Sequence, residues 1–303
     1  MGLWNHGAER WLTAPILKKL GVGKWDGEND ALHRLPQSQL SHTSFGTRSY
    51  VTAGSGPCTV VFESGLGQGK EVWAPVFNAL SPVTRVLAYD RAGYGQSEPS
   101  ALQRDGKQIV EELRALLKAE NIAPPYVLVG HSLGGTIMKL FARIYPEEVA
   151  GVVLVDARDA HFAQRCRSRG LFRALYAPPT GLFMWGTPPM RDELKAATTT
   201  LQQAGMTGSF PNVPLNVLTP HRRMLHWPGS IAHAWAEGQQ RMASMSSKGY
   251  LRFCDRSGHH IHRDRPDLVV QAIRNVLSAT WPSMGQRARV AYPWNWRKPA
   301  LAA

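Results

Sequence analysis

The sequence predicts an α/β fold, a mostly parallel sheet flanked by helices and carrying a helical insertion, and three observations lead there. First, Thr59–Glu63 and Gly151–Val155 are short runs that are apolar on both faces, as strands in the middle of a parallel sheet must be. Second, stretches with apolar residues at helical spacing alternate with them: Ile109, Val110, Leu113, Leu116 and Leu117, and later Ile137, Met138, Leu140, Phe141 and Ile144. Third, the strand-like run Tyr126–Val129 passes through Gly130-His131-Ser132-Leu133-Gly134 directly into the second of those helices. At 303 residues the chain can bury a substantial core, and one such domain with an insertion accounts for its length.

Residues 1–40 form an amino-terminal extension in which Trp4, Trp11, Leu12, Ile16, Leu17 and Leu20 recur at near-helical spacing. The stretch lacks the continuous apolar core of a signal peptide and holds no membrane-spanning run. Such a helix fits the protein's own surface, with peripheral contact to a bilayer as the other reading. Phe45, Thr47, Ser49 and Val51 read as an entry strand or hairpin. Thr59–Glu63 comes next and ends in the glycine-rich Ser64-Gly65-Leu66-Gly67-Gln68-Gly69. Trp73–Leu80 reads as a helix and Val83–Tyr89 as the following strand, which leads into Asp90-Arg91-Ala92-Gly93-Tyr94-Gly95-Gln96-Ser97. In that loop Asp90 is expected to tie down the glycine-rich backbone through N–H groups. The helix through Leu113 stops before Pro124-Pro125, because proline cannot continue it.

The turn at Ser132 needs its two glycines where backbone from strand and helix approaches too closely for a Cβ. Strain there holds the hydroxyl clear of the sheet, and the helix behind it offers unpaired N–H groups to a developing negative charge. Ser132 is therefore the expected nucleophile. His131 is not expected to serve it, since adjacent strand residues point to opposite faces.

Gly151–Val155 ends at Asp156, and in an open α/β sheet reactive groups gather at the carboxyl ends of the strands. From 157 to 212 no further core strand is visible, and a structureless loop of that length is implausible. It holds an apolar, aromatic stretch with Phe172, Tyr176, Phe183 and Trp185, broken by Pro178-Pro179 and Gly181, and a helical stretch Leu194–Gly205. Val213–Leu218 is the next strand, yet the loop beyond it carries no carboxylate before Glu237, inside an expected helix. Leu251–Cys254 is the last strand, followed by Ser257-Gly258-His259-His260-Ile261-His262 and by a helix opening at Arg265-Pro266-Asp267. Residues 281–303 form a carboxy-terminal tail.

The elbow Gly130-His131-Ser132-Leu133-Gly134 in its strand and helix, the loop Asp90–Ser97 and the Gly258-His259 pair before a proline-started helix resemble the α/β-hydrolase superfamily. The resemblance runs from about Ser44 to about Ser278. It implies a core over 41–156 and 213–280, a helical cap over 157–212 whose Phe172, Tyr176, Phe183 and Trp185 would line an apolar substrate pocket, and a catalytic order Ser132, Asp156, His259. It also implies an oxyanion hole from the backbone N–H groups of Leu66 and Leu133. Most members carry their acid one strand later than Asp156; some place it where Asp156 stands, with Asp159 and Asp255 as reserves here. His260 and His262 are the alternatives to His259. The implied activity is cleavage of a carboxylic ester or related acyl compound through an acyl-enzyme. Acyl transfer, perhydrolysis, a lyase reaction or a non-catalytic binding role on the same scaffold are the rival readings.

Composition narrows the partners. Hydrophobic residues make up 43% and charged residues 19%, as in globular chains. Lysine and arginine outnumber aspartate and glutamate by 35 to 22, giving a formal charge of +13. Such an excess can attract anions, but no lysine-rich run or zinc pattern accompanies it, so it reads as solvated surface and no nucleic acid is expected. Cys58, Cys166 and Cys254 are odd in number and lack metal-ligand spacing. Buried thiols are expected at Cys58 and Cys254, along with a reducing, cytoplasmic setting. The three nearby histidines also lack further ligands at metal spacing, so neither metal nor cofactor is expected. The expected partner is a small, mainly apolar ester-type substrate.

Overall fold

In the computed structural model, residues 34–160, 162, 186–221 and 229–280 are described. The amino-terminal helix, the tail after 280, Cys166 and the pocket candidates Phe172, Tyr176, Phe183 and Trp185 lie outside them.

Strands β1 (Gln39–Thr43) and β2 (Gly46–Ala53) form an antiparallel hairpin. The hairpin therefore starts inside the stretch assigned by sequence to the extension. β3 (Thr59–Glu63), β4 (Arg85–Tyr89), β5 (Tyr126–His131), β6 (Val149–Val155), β7 (Leu215–Pro220) and β8 (Gly249–Cys254) complete an eight-stranded sheet in the order β1-β2-β4-β3-β5-β6-β7-β8. Only the pairings β1–β2 and β2–β4 are antiparallel.

The helices are α1 (Ala74–Leu80), α2 (Gly106–Ala119), α3 (Leu133–Ile144), α4 (Pro188–Met206), α5 (Gly229–Ala243), α6 (Ile261–Asp264) and α7 (Pro266–Thr280). Each has a local cause. Asp105 caps α2 by accepting from the Gln108 N–H at 3.1 Å. Proline opens α4 and α7 at the first turn, where no N–H is needed. That explains why α4 begins six residues before the expected Leu194. β4 begins at Arg85 rather than Val83 because the Val83 and Thr84 N–H groups both donate to the Leu80 carbonyl, closing a turn. β7 begins at Leu215 rather than Val213 because the Val213 N–H turns back to Pro211.

Side chains alternate across the sheet and build two cores. Val61, Leu87, Leu128, Val152 and Leu154 face α2 and α3, where Leu113, Ile137 and Phe141 are fully buried. Val60, Phe62, Val86, Val127, Val129, Val153 and Val155 face α1 and α7, with Phe77, Leu80, Val269 and Ile273. Cys58 and Cys254 are buried free thiols. Burial pushes Cys58 up to about 12 and Cys254 to about 11, so neither is a nucleophile at neutral pH. Among the described residues no helix is long and apolar enough to cross a membrane.

The register matters most for the site. Glu63 lies opposite Gly130, His131 opposite Val155, and Val155 opposite Leu218. Ser64, Ser132 and Asp156, each one residue beyond its strand, therefore leave the sheet along one carboxyl edge.

Candidate active site

Ser132 occupies the junction of β5 and α3 with φ 54° and ψ −113°, a conformation that costs a non-glycine residue about 1–3 kcal/mol. The surroundings hold it there. A Cβ on Gly130 would lie 2.5 Å from the Gly134 backbone, and one on Gly134 would lie 2.3 Å from the Glu63 carbonyl. The Ser132 N–H donates to the Val155 carbonyl at 3.0 Å, tying the elbow to β6 just before Asp156. Leu133 is the first residue of α3, so its N–H has no partner within the helix.

Asp156 also has positive φ, 45°, and its N–H donates to the Leu218 carbonyl at 2.7 Å. Its fully buried carboxylate meets the His259 imidazole, Oδ2 to Nδ1, at 2.5 Å. That contact engages Nδ1 of the ring. The imidazole is 30% exposed and the carboxylate fully buried, and a hydrogen bond to an ionised carboxylate is stronger than one between neutral partners. The structure thus brings Asp156 and His259 together. Of the two reserves, Asp159 pairs with Arg241 at 2.7 Å and accepts from the Phe162 N–H, and Asp255 is exposed. Glu237 meets His233 and Arg241 on its own helix.

His131 has a part that strand geometry alone did not foresee. Its ring lies 4.6 Å from that of His259, and its Nε2–H donates to the His259 backbone carbonyl at 2.9 Å. It holds the histidine loop rather than the serine. His262 is fully buried against Trp73 and His131, and among the described residues neither ring nitrogen has a hydrogen-bond partner. Burial, with the neighbouring histidines and Arg263, keeps it well below the ordinary histidine range and therefore neutral. Among the described residues no group of three or more histidine, cysteine or acidic side chains could hold a metal ion.

Asp90 anchors differently from expectation. Its Oδ1 accepts from the Lys70 N–H at 2.8 Å and its Oδ2 takes the Lys70 ammonium at 2.6 Å, both on the residue that opens a 3-10 helix just after the Ser64–Gly69 loop. The ammonium was the missed partner. Gly95 packs directly on that carboxylate, where a Cβ would lie 2.1 Å from Oδ2.

A second buried polar cluster surrounds Arg91, which sequence reasoning also passed over. Its guanidinium donates to Glu63 at 2.6 Å, to the Ser64 and Gly65 carbonyls at 2.8 and 2.9 Å, and to both oxygens of Glu193 on α4 at 2.7 and 2.9 Å. Tyr89 donates to Glu63 and Tyr94 to Glu193. Desolvation raises the Glu63 carboxyl above its ordinary value against the opposing pull of Arg91.

Comparison with known proteins agrees with this architecture. A family model described as the alpha/beta hydrolase fold matches residues 59–176. YqjL of Bacillus subtilis, an uncharacterized protein, is 30% identical over 241 residues, covering 79% of this chain and 89% of the relative. A thermophilic esterase from Thermogutta terrifontis superposes with a TM-score of 0.58 at 20% identity, covering 81% of this chain and 99% of the esterase. The epoxide hydrolase CorEH gives 0.54 at 17% identity, covering 80% and 98%. At these identities the two structures speak to fold alone. With the motifs, the sheet order and these matches together, the chain belongs to the α/β-hydrolase family and is a hydrolase by fold.

Proposed function

We propose that the chain is a serine hydrolase cleaving a carboxylic ester or related acyl compound through an acyl-enzyme. Ser132 is the nucleophile, His259 the general base and Asp156 the acid that orients it. The observation that carries this reading is the 2.5 Å contact between buried Asp156 and His259, made at the same sheet edge as the strained Ser132 elbow.

His259 Nε2 takes the Ser132 proton as the hydroxyl oxygen attacks the substrate carbonyl. Asp156 holds the Nδ1–H tautomer and stabilises the imidazolium. The carbonyl oxygen, now negative, is received by the N–H groups of Leu66 and Leu133, a contribution of about 3–4 kcal/mol per donor in comparable sites. Collapse expels the alcohol, which takes the proton from His259. Water then attacks the ester on Ser132, giving its proton to His259 and releasing the acid and the serine. No metal or cofactor is required. The apolar, aromatic composition of the insertion favours a small, uncharged acyl substrate.

The test is hydrolysis of p-nitrophenyl acetate by the protein and by Ser132→Ala. Turnover is expected to fall by at least about 10³-fold, with the melting temperature retained. Equal turnover by the variant would refute the reading.

A further inference from the structure

The Arg91 cluster lies beside the oxyanion loop and reaches a different element. Arg91 holds the carbonyls of Ser64 and Gly65, at 2.8 and 2.9 Å. A trans peptide is planar, with C=O and N–H pointing opposite ways. Fixing the Gly65 carbonyl toward Arg91 therefore fixes the Leu66 N–H away from it, and among the described residues nothing accepts from that N–H. The rest of the loop is pinned in the same manner. The Gly65 N–H donates to the Gln68 side chain at 3.2 Å, and the Gly67 N–H to the Tyr94 hydroxyl at 3.3 Å.

Arg91 is itself held by α4. Both oxygens of buried Glu193 receive its Nε and Nη2, and Oε2 also receives the Tyr94 hydroxyl at 2.9 Å. The start of α4 rests on the loops it would align: a Cβ on Gly67 would come within 3.0 Å of Met190, and one on Gly93 within 3.0 Å of Pro189. Without Glu193, the guanidinium would lose two of its five donor contacts and its fixed plane.

We propose that Glu193 is a positioning residue: acting through Arg91, it sets the direction of the Leu66 N–H, so the oxyanion loop is aligned only when α4 is seated. This rests on the serine-hydrolase reading. It ties α4, within the insertion, to the group proposed to meet the transition state.

The experiment measures p-nitrophenyl acetate kinetics and inhibition by phenylboronic acid, whose tetrahedral adduct on serine places an oxygen where the oxyanion forms. Glu193→Ala is expected to lower kcat about tenfold or more with KM within about twofold, and to weaken boronate inhibition by a similar factor. Glu193→Gln keeps an acceptor for Arg91 and is expected to recover most of the loss. Should Glu193→Ala fail to fold, Tyr94→Phe serves instead, with a several-fold fall in kcat and in boronate affinity at unchanged KM. Unaltered kinetics and inhibition in the folded variant overturn the proposal, as does a rise in KM alone, which would mean that Glu193 shapes only the pocket. Absence of Ser132-dependent turnover in the unaltered protein would instead overturn the hydrolase reading, and this inference with it.

Discussion

Asp156 separates two accounts of the acid. If it orients His259, Asp156→Asn presents an amide to Nδ1, favours the wrong tautomer and should lower kcat by about 10³–10⁴-fold. Asp159→Asn, which removes the charge paired with Arg241, should keep turnover within about threefold. Comparing kcat of the two variants on one ester checks both expectations. His262 offers a pH test. It is neutral in the fold and faces His131, His259, His260 and Arg263, whereas the unfolded chain binds a proton near pH 6.5. Below that value the unfolded state holds more protons, so stability falls as pH falls. The slope from this one group is about 1.4 kcal/mol per pH unit. His262→Phe, which keeps a ring against Trp73, should shrink the difference in urea-unfolding free energy between pH 7.5 and 5.5. An undiminished difference would place the acid sensitivity elsewhere.

At the level of elements, the elbow depends on how closely α3 approaches β3. Gly134→Ala would drive a methyl into the Glu63 and Ser64 carbonyls, 2.3 and 2.6 Å away, which are backbone and cannot swing aside. The variant should lose several kcal/mol of stability and all ester turnover, measured by thermal melting and steady-state kinetics. Leu113→Ala on α2 instead opens a cavity in the core under the sheet. It should cost about 2–5 kcal/mol while kcat of the folded fraction stays near that of the parent. Strand and helix identity was readable because apolar runs and helical spacing report burial, and burial shaped the central strands β3 to β7 and the helices packed on them. Boundaries were less so: Val83 and Val213 look like strand residues, but their N–H groups close turns onto Leu80 and Pro211. Propensity cannot show such hydrogen bonds.

Over the whole molecule, the proposed Ser132 and His259 stood out in the sequence because each sits in a local pattern. Asp156 was reachable through the absence of a carboxylate after β7 together with its place at the end of β6. The polar contacts that hold the site were not legible, since Arg91 meets Glu193 across 102 positions and His131 meets His259 across 128. Only the folded sheet order makes those pairs neighbours. The two unforeseen partners, Lys70 on Asp90 and Glu193 on Arg91, are charged residues in buried positions, and single-sequence patterns assign charge to the surface. The central claim is that one serine, presented at the carboxyl edge of the sheet, carries the chemistry. Its most direct test is peptide-resolved mass spectrometry after reaction with a fluorophosphonate. One adduct per chain, on Ser132 and lost in His259→Ala, is the predicted result; ester turnover that survives while Ser132 stays unlabelled would contradict it.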